Sequence, residues 1–162
     1  MIEIEAMKNI EKPVPILPPP YIFLGPLLIG VGLNIVFPLR IFPGSFSNLR
    51  LLIAATLALG GVSLLLWAVK TLFRSGVDPR FKPVGGIVAE GPFGITRNPM
   101  YFSFALIYLG IAAGFNALWP ILFLPVIFPV LYYRVIRREE AYLENIFSDA
   151  YKSYKAEVRR WL

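Results

Sequence analysis

Three groups of residues in this 162-residue sequence could do chemistry: Arg97-Asn98 with Tyr101 close behind, the adjacent pair Glu139-Glu140, and the arginines Arg134 and Arg137 just before that pair. Arg97 carries a rigid fork of donors, Asn98 can donate and accept, Tyr101 adds a phenol, and ionised glutamates are pure acceptors. The set offers both signs of charge to a ligand. It offers no thiol nucleophile and no Cys/His metal cage: the chain has no cysteine and no histidine, which also excludes disulfides and His-based triads. Chemistry here must use Arg, Lys, Glu, Asp, Tyr, Asn, Ser or a bound cofactor, and no metal is expected.

The elements that carry these residues are apolar. With 57% hydrophobic residues, 16% charged residues and a mean hydropathy of +0.65, the chain is too apolar for a soluble domain of its size and reads as one integral membrane domain. The net charge of +6 does not point to nucleic acid, because the basic residues flank apolar segments and form no separate tail or face. Residues 1–20 read as a retained cytoplasmic end with a stiff, extended, proline-rich lead-in from Pro13 to Pro20. Spans are expected over about 21–42 and 49–70, with a polar connection over 71–98. The 36 uncharged residues from Asn98 to Tyr133 are too many for one crossing, and Gly114-Phe115-Asn116 is the natural break. Two helices follow, about 99–114 and 117–136. The first is only ~24 Å long at 1.5 Å per residue, so the pair can be a membrane hairpin that barely crosses. Pro120, Pro125 and Pro129 imply bends in the second.

Residues 137–160 repeat apolar side chains at helical spacing (Leu143, Ile146, Phe147, Ala150, Tyr151, Tyr154, Val158), the pattern of an amphipathic helix on the membrane surface or packed back on the loop. If that helix continues unkinked from the last span, Glu140 shares a face with Ile136, Leu143 and Phe147, and Glu139 lies at the edge of that face. Fourteen of the sixteen Lys and Arg residues fall on one side of this four-helix layout, and only Arg40 and Arg50 on the other. That split places both termini and the Gly91–Tyr101 stretch in the cytoplasm. Singly, each feature has a bland explanation. Asn98-Pro99 is a good helix start, the charges from Arg137 to Glu140 are a common membrane exit, and Gly60-Gly61 and the Gly110/Gly114 pair are packing notches.

Taken together and in order, Gly91-Pro92-Phe93, Thr96-Arg97-Asn98-Pro99-Met100-Tyr101, a membrane hairpin, Glu139-Glu140-x-x-Leu143-x-x-x-Phe147, Tyr151-x-x-Tyr154 and Val158-Arg159-Arg160-Trp161 resemble the isoprenylcysteine carboxyl methyltransferase and phospholipid methyltransferase superfamily. The resemblance covers roughly Gly60 to the C-terminus. It implies a membrane-embedded methyltransferase that uses S-adenosylmethionine, releases S-adenosylhomocysteine and admits a lipophilic substrate from the bilayer. It also implies cofactor contacts at Arg97, Asn98, Tyr101, Glu139 and Glu140, with Val88 and Gly91 toward the adenine. Two positions depart from the pattern: Asn98 stands where many relatives have histidine, and Ser148 where a glycine usually follows the phenylalanine.

The chemistry is consistent with that implication. S-adenosylmethionine presents a sulfonium, an amino group and a carboxylate, and Glu139, Glu140 and Arg97 supply partners of both signs. Arg134, Arg137 and Glu140 are the candidate catalytic residues, with an arginine orienting the substrate carboxylate through paired hydrogen bonds. A carboxylate acceptor such as an isoprenylcysteine-like group is already ionised and needs no general base. A phospholipid amine is the alternative acceptor, and a non-enzymatic scaffold or lipid-binding protein is the alternative of another kind. A transporter is disfavoured because no span carries a charge near its centre. The acceptor's identity and the oligomeric state stay open at this point.

Overall fold

The computed structural model describes residues 18–77 and 86–162; the N-terminal expectations for residues 1–17, and Arg80 and Lys82 of the polar connection, lie outside the described residues. Five α-helices follow in order: α1 Pro19–Val36, α2 Ser47–Arg74, α3 Pro99–Gly114, α4 Leu118–Leu131 and α5 Arg137–Glu157. There is no strand among the described residues. The protein is an all-α integral membrane protein. Three helical stretches, α1, α2 and the continuous run from Leu118 to Glu157, are long and apolar enough to cross a membrane, and α3 is shorter. Large exposed side chains such as Leu28 and Ile35 on α1, Leu59 and Leu66 on α2 and Val126 on α4 face outward, as a hydrocarbon solvent requires.

Prolines set the bounds of α1. Pro19 and Pro20, expected in the extended lead-in, instead open the helix, because the first helical positions have no amide partner to lose. The helix stops at Val36, six residues short of the expected limit. Pro38 forces Phe37 out of the helical region, to φ −124° and ψ 81°. By contrast α2 runs four residues past Lys70, to Arg74, where Gly76 in the left-handed region (φ +71°) ends it. Its 28 residues span ~42 Å.

The inner helix is α3, which packs on α2 along one side and on α1 and α4 along the other. Small residues let α2 and α3 approach closely. A Cβ added at Gly110 would sit 2.7 Å from the Ala58 nitrogen and 2.9 Å from the Ala54 oxygen, and one at Gly61 would sit 2.9 Å from the Ser103 oxygen. Only one glycine of each expected pair does this work: nothing lies within 4 Å of a Cβ at Gly60, and Gly114 meets Ala54 at an ordinary 3.8 Å. On the other side Ile22, Phe23 and Leu27 of α1, Tyr101, Ala105 and Tyr108 of α3, and Ile127 and Leu131 of α4 form one buried cluster.

The break between α3 and α4 falls at Phe115-Asn116, with Asn116 left-handed at φ +53°. Its side chain also ties this turn to the α1–α2 connection, accepting from the amides of Ile41 (3.1 Å) and Phe42 (2.8 Å) and donating to the Phe42 carbonyl (3.0 Å). Trp119 adds a bond to the Phe37 carbonyl, and Arg50 adds one to the carbonyl of Gly114 at the end of α3. Pro120 sits harmlessly in the first turn of α4, whereas Pro125 and Pro129 lie inside it.

The helix that carries the last expected span does not end at 136. After Pro129 the chain makes one π-helical turn, Tyr132–Ile136, and passes directly into α5. A π turn inserts roughly one extra residue into the helical register, rotating everything beyond it by about 100° relative to an uninterrupted helix. The unkinked continuation expected from sequence is therefore replaced by one rotated relative to α4, while within α5 Glu139 and Glu140 keep their helical spacing to Leu143 and Phe147. A second irregularity, Ser148 at φ 40° and ψ −109°, kinks α5 in its middle.

Candidate functional site

The site is built from one loop, the first turn of α3, the first turn of α5 and the C-terminal segment. The loop begins with a short 3-10 turn, Gly91–Gly94, whose first residue is left-handed at φ +56°. Gly91 lies against α2 so closely that a Cβ would be 2.9 Å from Thr71 Oγ1 and 3.2 Å from Trp67 Nε1. Its requirement for glycine is met by backbone conformation and helix contact. Val88 packs beside it on Ala68, Leu72 and Phe93, and lines a cleft of about 230 Å³ with Ser75, Gly86, Ile87, Ala89 and Glu90. The two residues expected on the adenine side thus belong to a neighbouring cluster on α2.

Arg97, Asn98, Tyr101, Glu139 and Glu140 do come together. Tyr101, in the first turn of α3, directs its hydroxyl between the two oxygens of Glu139, at 2.7 and 2.8 Å. Glu140 accepts from Arg97 Nη1 at 3.0 Å and receives a two-pronged contact from Arg160, Nε at 2.9 Å and Nη2 at 2.8 Å. The Arg97 and Glu140 side chains retain only 11% and 15% of their exposure. Pairing in a water-poor setting is what makes these charges tolerable there. The Nε of Arg97 is buried and makes no hydrogen bond to a described residue, although the nearby Tyr151 hydroxyl interacts with the same guanidinium. A buried donor left unmade costs ~1–3 kcal/mol.

The two glutamates differ in electrostatic status. Burial pushes Glu139 from an ordinary 4.5 up to about 7; the Tyr101 hydroxyl pulls it back, and the charge of Glu140 adds to the rise. Glu139 makes no ion pair with any described residue, whereas Glu140 pairs with two arginines. Burial also raises Tyr154 and Tyr151, with Arg97 opposing the rise in both.

Arg134 and Arg137 are exposed and make no ion pair with a described residue. The structure does not bring them to the glutamates. It brings Arg160, a residue that sequence reasoning quoted in a motif but gave no role. The amphipathic helix packs back on the loop: Tyr151, Tyr154 and Val158 cluster with Ile87, Leu143 and Phe147, and the Tyr154 hydroxyl donates to the Phe93 carbonyl at 2.7 Å. Beyond Val158 the chain turns extended and returns over the loop. The Arg97 amide donates to the Arg159 carbonyl (2.9 Å), while Thr96 Oγ1 (2.9 Å) and Asn98 Nδ2 (3.0 Å) donate to the Arg160 carbonyl. The signal available in sequence was arithmetic: a carboxylate pair entering an apolar face needed more cations than Arg97 alone, and Arg159-Arg160 was the nearest supply past the end of the apolar spacing.

The sequence pattern that defines the family described as phospholipid methyltransferase matches residues 49–150, well over half of the chain. The chain belongs to the phospholipid methyltransferase family. The matched residues take in α2, the Arg97 loop, the hairpin and Glu139-Glu140, and stop before the segment that carries Arg160. An uncharacterized protein of Haemophilus influenzae is 63% identical over 27 residues, which are 17% of this chain and 43% of that relative; the chain thus spans under half the length of the curated relative it matches. No solved structure matches this family member at a significant level.

Proposed function

We propose that this membrane protein transfers a methyl group from S-adenosylmethionine to a lipophilic acceptor that reaches the site from the bilayer. The observation that carries the reading is the unequal glutamate pair: among the described residues the half-buried Glu139 bonds Tyr101 and makes no ion pair, and Arg97 Nε is a buried donor with no acceptor. A zwitterionic sulfonium compound supplies both missing partners, cationic groups for Glu139 and a carboxylate for Arg97, so the donor set fits the cofactor. When bound, S-adenosylmethionine supplies the electrophilic methyl group. The chain's own part is to orient and to exclude water. Tyr101 fixes the Glu139 carboxylate, Thr96 and Asn98 fix the loop, and the buried Tyr101–Ile136 cluster keeps the inner wall dry.

A lipidated carboxylate is the acceptor the chemistry favours, since it arrives ionised and needs no base. A phospholipid amine is a second reading, supported by one observation: a carboxyl group at about 7 can take the proton an amine must lose. The 14-to-2 partition of Lys and Arg supports a cytoplasmic site and cytoplasmic termini. Calorimetry of the purified protein in detergent with S-adenosylhomocysteine tests the cofactor. Binding in the micromolar range is expected, and no heat at high micromolar ligand overturns the proposal. Mass spectrometry of products from prenylcysteine and phosphatidylethanolamine vesicles separates the two acceptors.

A further inference from the structure

Glu139 and Glu140 are neighbours in sequence, and residue type alone gives them one role. Their surroundings do not. Three donors on two arginines already hold Glu140, and one of those arginines, Arg160, belongs to the returning C-terminal segment. That same residue is held a second time through its carbonyl, by Thr96 and Asn98, and a third time through its guanidinium, which stacks 5.0 Å from the Tyr132 ring in the π turn. Next to it, Trp161 packs edge-on against Phe128 of α4, ring centroids 5.8 Å apart. Residues 158–162 therefore form a strap that joins the ionic site to the apolar face of α4. Glu140 is the only acidic side chain among the described residues that holds it.

We propose that Glu140 is a positioning residue, a latch that holds Arg160 and the C-terminal strap across the Arg97–Asn98 loop, and that Glu139 is the carboxylate left to face the bound ligand. The second half of this assignment rests on the methyl-donor reading above; the first half does not. Arg160 is accordingly a further positioning residue of the site. A two-pronged arginine–carboxylate contact has a fixed geometry that lysine does not reproduce, so Arg160→Lys weakens the latch without removing its charge.

The strap has its own reporter. The protein has three tryptophans, and Trp161 alone lies on the strap. Protein labelled with 5-fluorotryptophan gives a ¹⁹F line for Trp161, assigned with Trp161→Phe, whose position depends on the Phe128 ring. Glu140→Gln and Arg160→Gln should each move that line toward the solvent-exposed position and weaken S-adenosylhomocysteine binding about tenfold or more, with a smaller displacement in Arg160→Lys. Glu139→Gln should leave the Trp161 line in place and lower affinity by about a hundredfold or more. An unmoved Trp161 line in Glu140→Gln, or wild-type affinity in Glu139→Gln, overturns the proposal. Trp119, bonded to Phe37 at the far end, keeps its line in a folded variant. If Glu140→Gln moves that line too, Arg160→Lys is read in its place, and an unmoved Trp161 line there overturns the proposal. Should the wild type bind no S-adenosylhomocysteine, the methyl-donor reading falls, while the Trp161 line still decides the latch.

Discussion

Replacing Glu139 by glutamine should stabilise the protein at alkaline pH, by an amount that the site's electrostatics set. Burial lifts Glu139 from 4.5 to about 7, a difference of about 2.5; at 1.36 kcal/mol for each step of one in pKa this is roughly 3 kcal/mol. The sign follows from proton binding. The folded state holds the Glu139 proton more tightly than the unfolded state, so this contribution is fully present below pH 4.5 and is lost as the pH rises through 7. Above pH 7 the wild type therefore carries a half-buried carboxylate with no ion pair among the described residues, which glutamine, neutral and of the same shape, does not. Unfolding of both proteins in detergent at pH 5, 6, 7 and 8 checks this. The variant's stability relative to wild type should grow by about 1–3 kcal/mol across the series, the Tyr101 hydrogen bond being already counted in the value of about 7. A difference independent of pH, or a variant less stable than wild type at pH 8, would refute the reasoning.

Two further outcomes follow from the backbone. Gly110→Ala places a Cβ against backbone atoms of α2 that cannot rotate away, so it should lower stability by about 1–3 kcal/mol through overpacking; Gly60→Ala, with open space around it, should be neutral or gain up to about 1 kcal/mol, and a thermal-shift comparison in detergent separates the pair. Ser148→Gly should raise the unfolding midpoint, because a non-glycine residue held at φ 40° costs ~1–3 kcal/mol that glycine avoids; a lowered midpoint would show that the kink is not strained.

Periodicity and punctuation carried the helices, and the reasons are particular. The 99–114 helix was legible because Asn98-Pro99 suits a helix start and Asn116 readily takes the left-handed turn that closes one. The end of α1 was misread because apolar content continues past Pro38, and apolar content reports burial in lipid, whereas helix termination depends on the residue before proline. The pairing of Tyr101 and the glutamates rested on the motif order, since α3 and α5 are 38 residues apart along the chain at that contact. What sequence could not supply was the π turn, an insertion that rotates α5 relative to α4 and that no spacing rule announces. Arg160 was missed because a cation after a helix end has many harmless uses, and only the returning chain direction at Val158 commits it to Glu140.

The cluster of bonds around Asn116 has a mechanical meaning. At the end of the molecule remote from the glutamates, the α1–α2 connection and the α3–α4 turn are sewn to each other by backbone and side-chain bonds from Leu39, Ile41, Phe42, Asn116 and Trp119. At the opposite end, α1 meets α3 through side chains such as Phe23 and Phe104, 6.0 Å between ring centroids, which can slide. Directional bonds therefore fix the relative depth of α1 and α3 at this remote end, whereas near the glutamates the polar bonds join α3 to α5 and the C-terminal segment and leave α1 held by apolar contact.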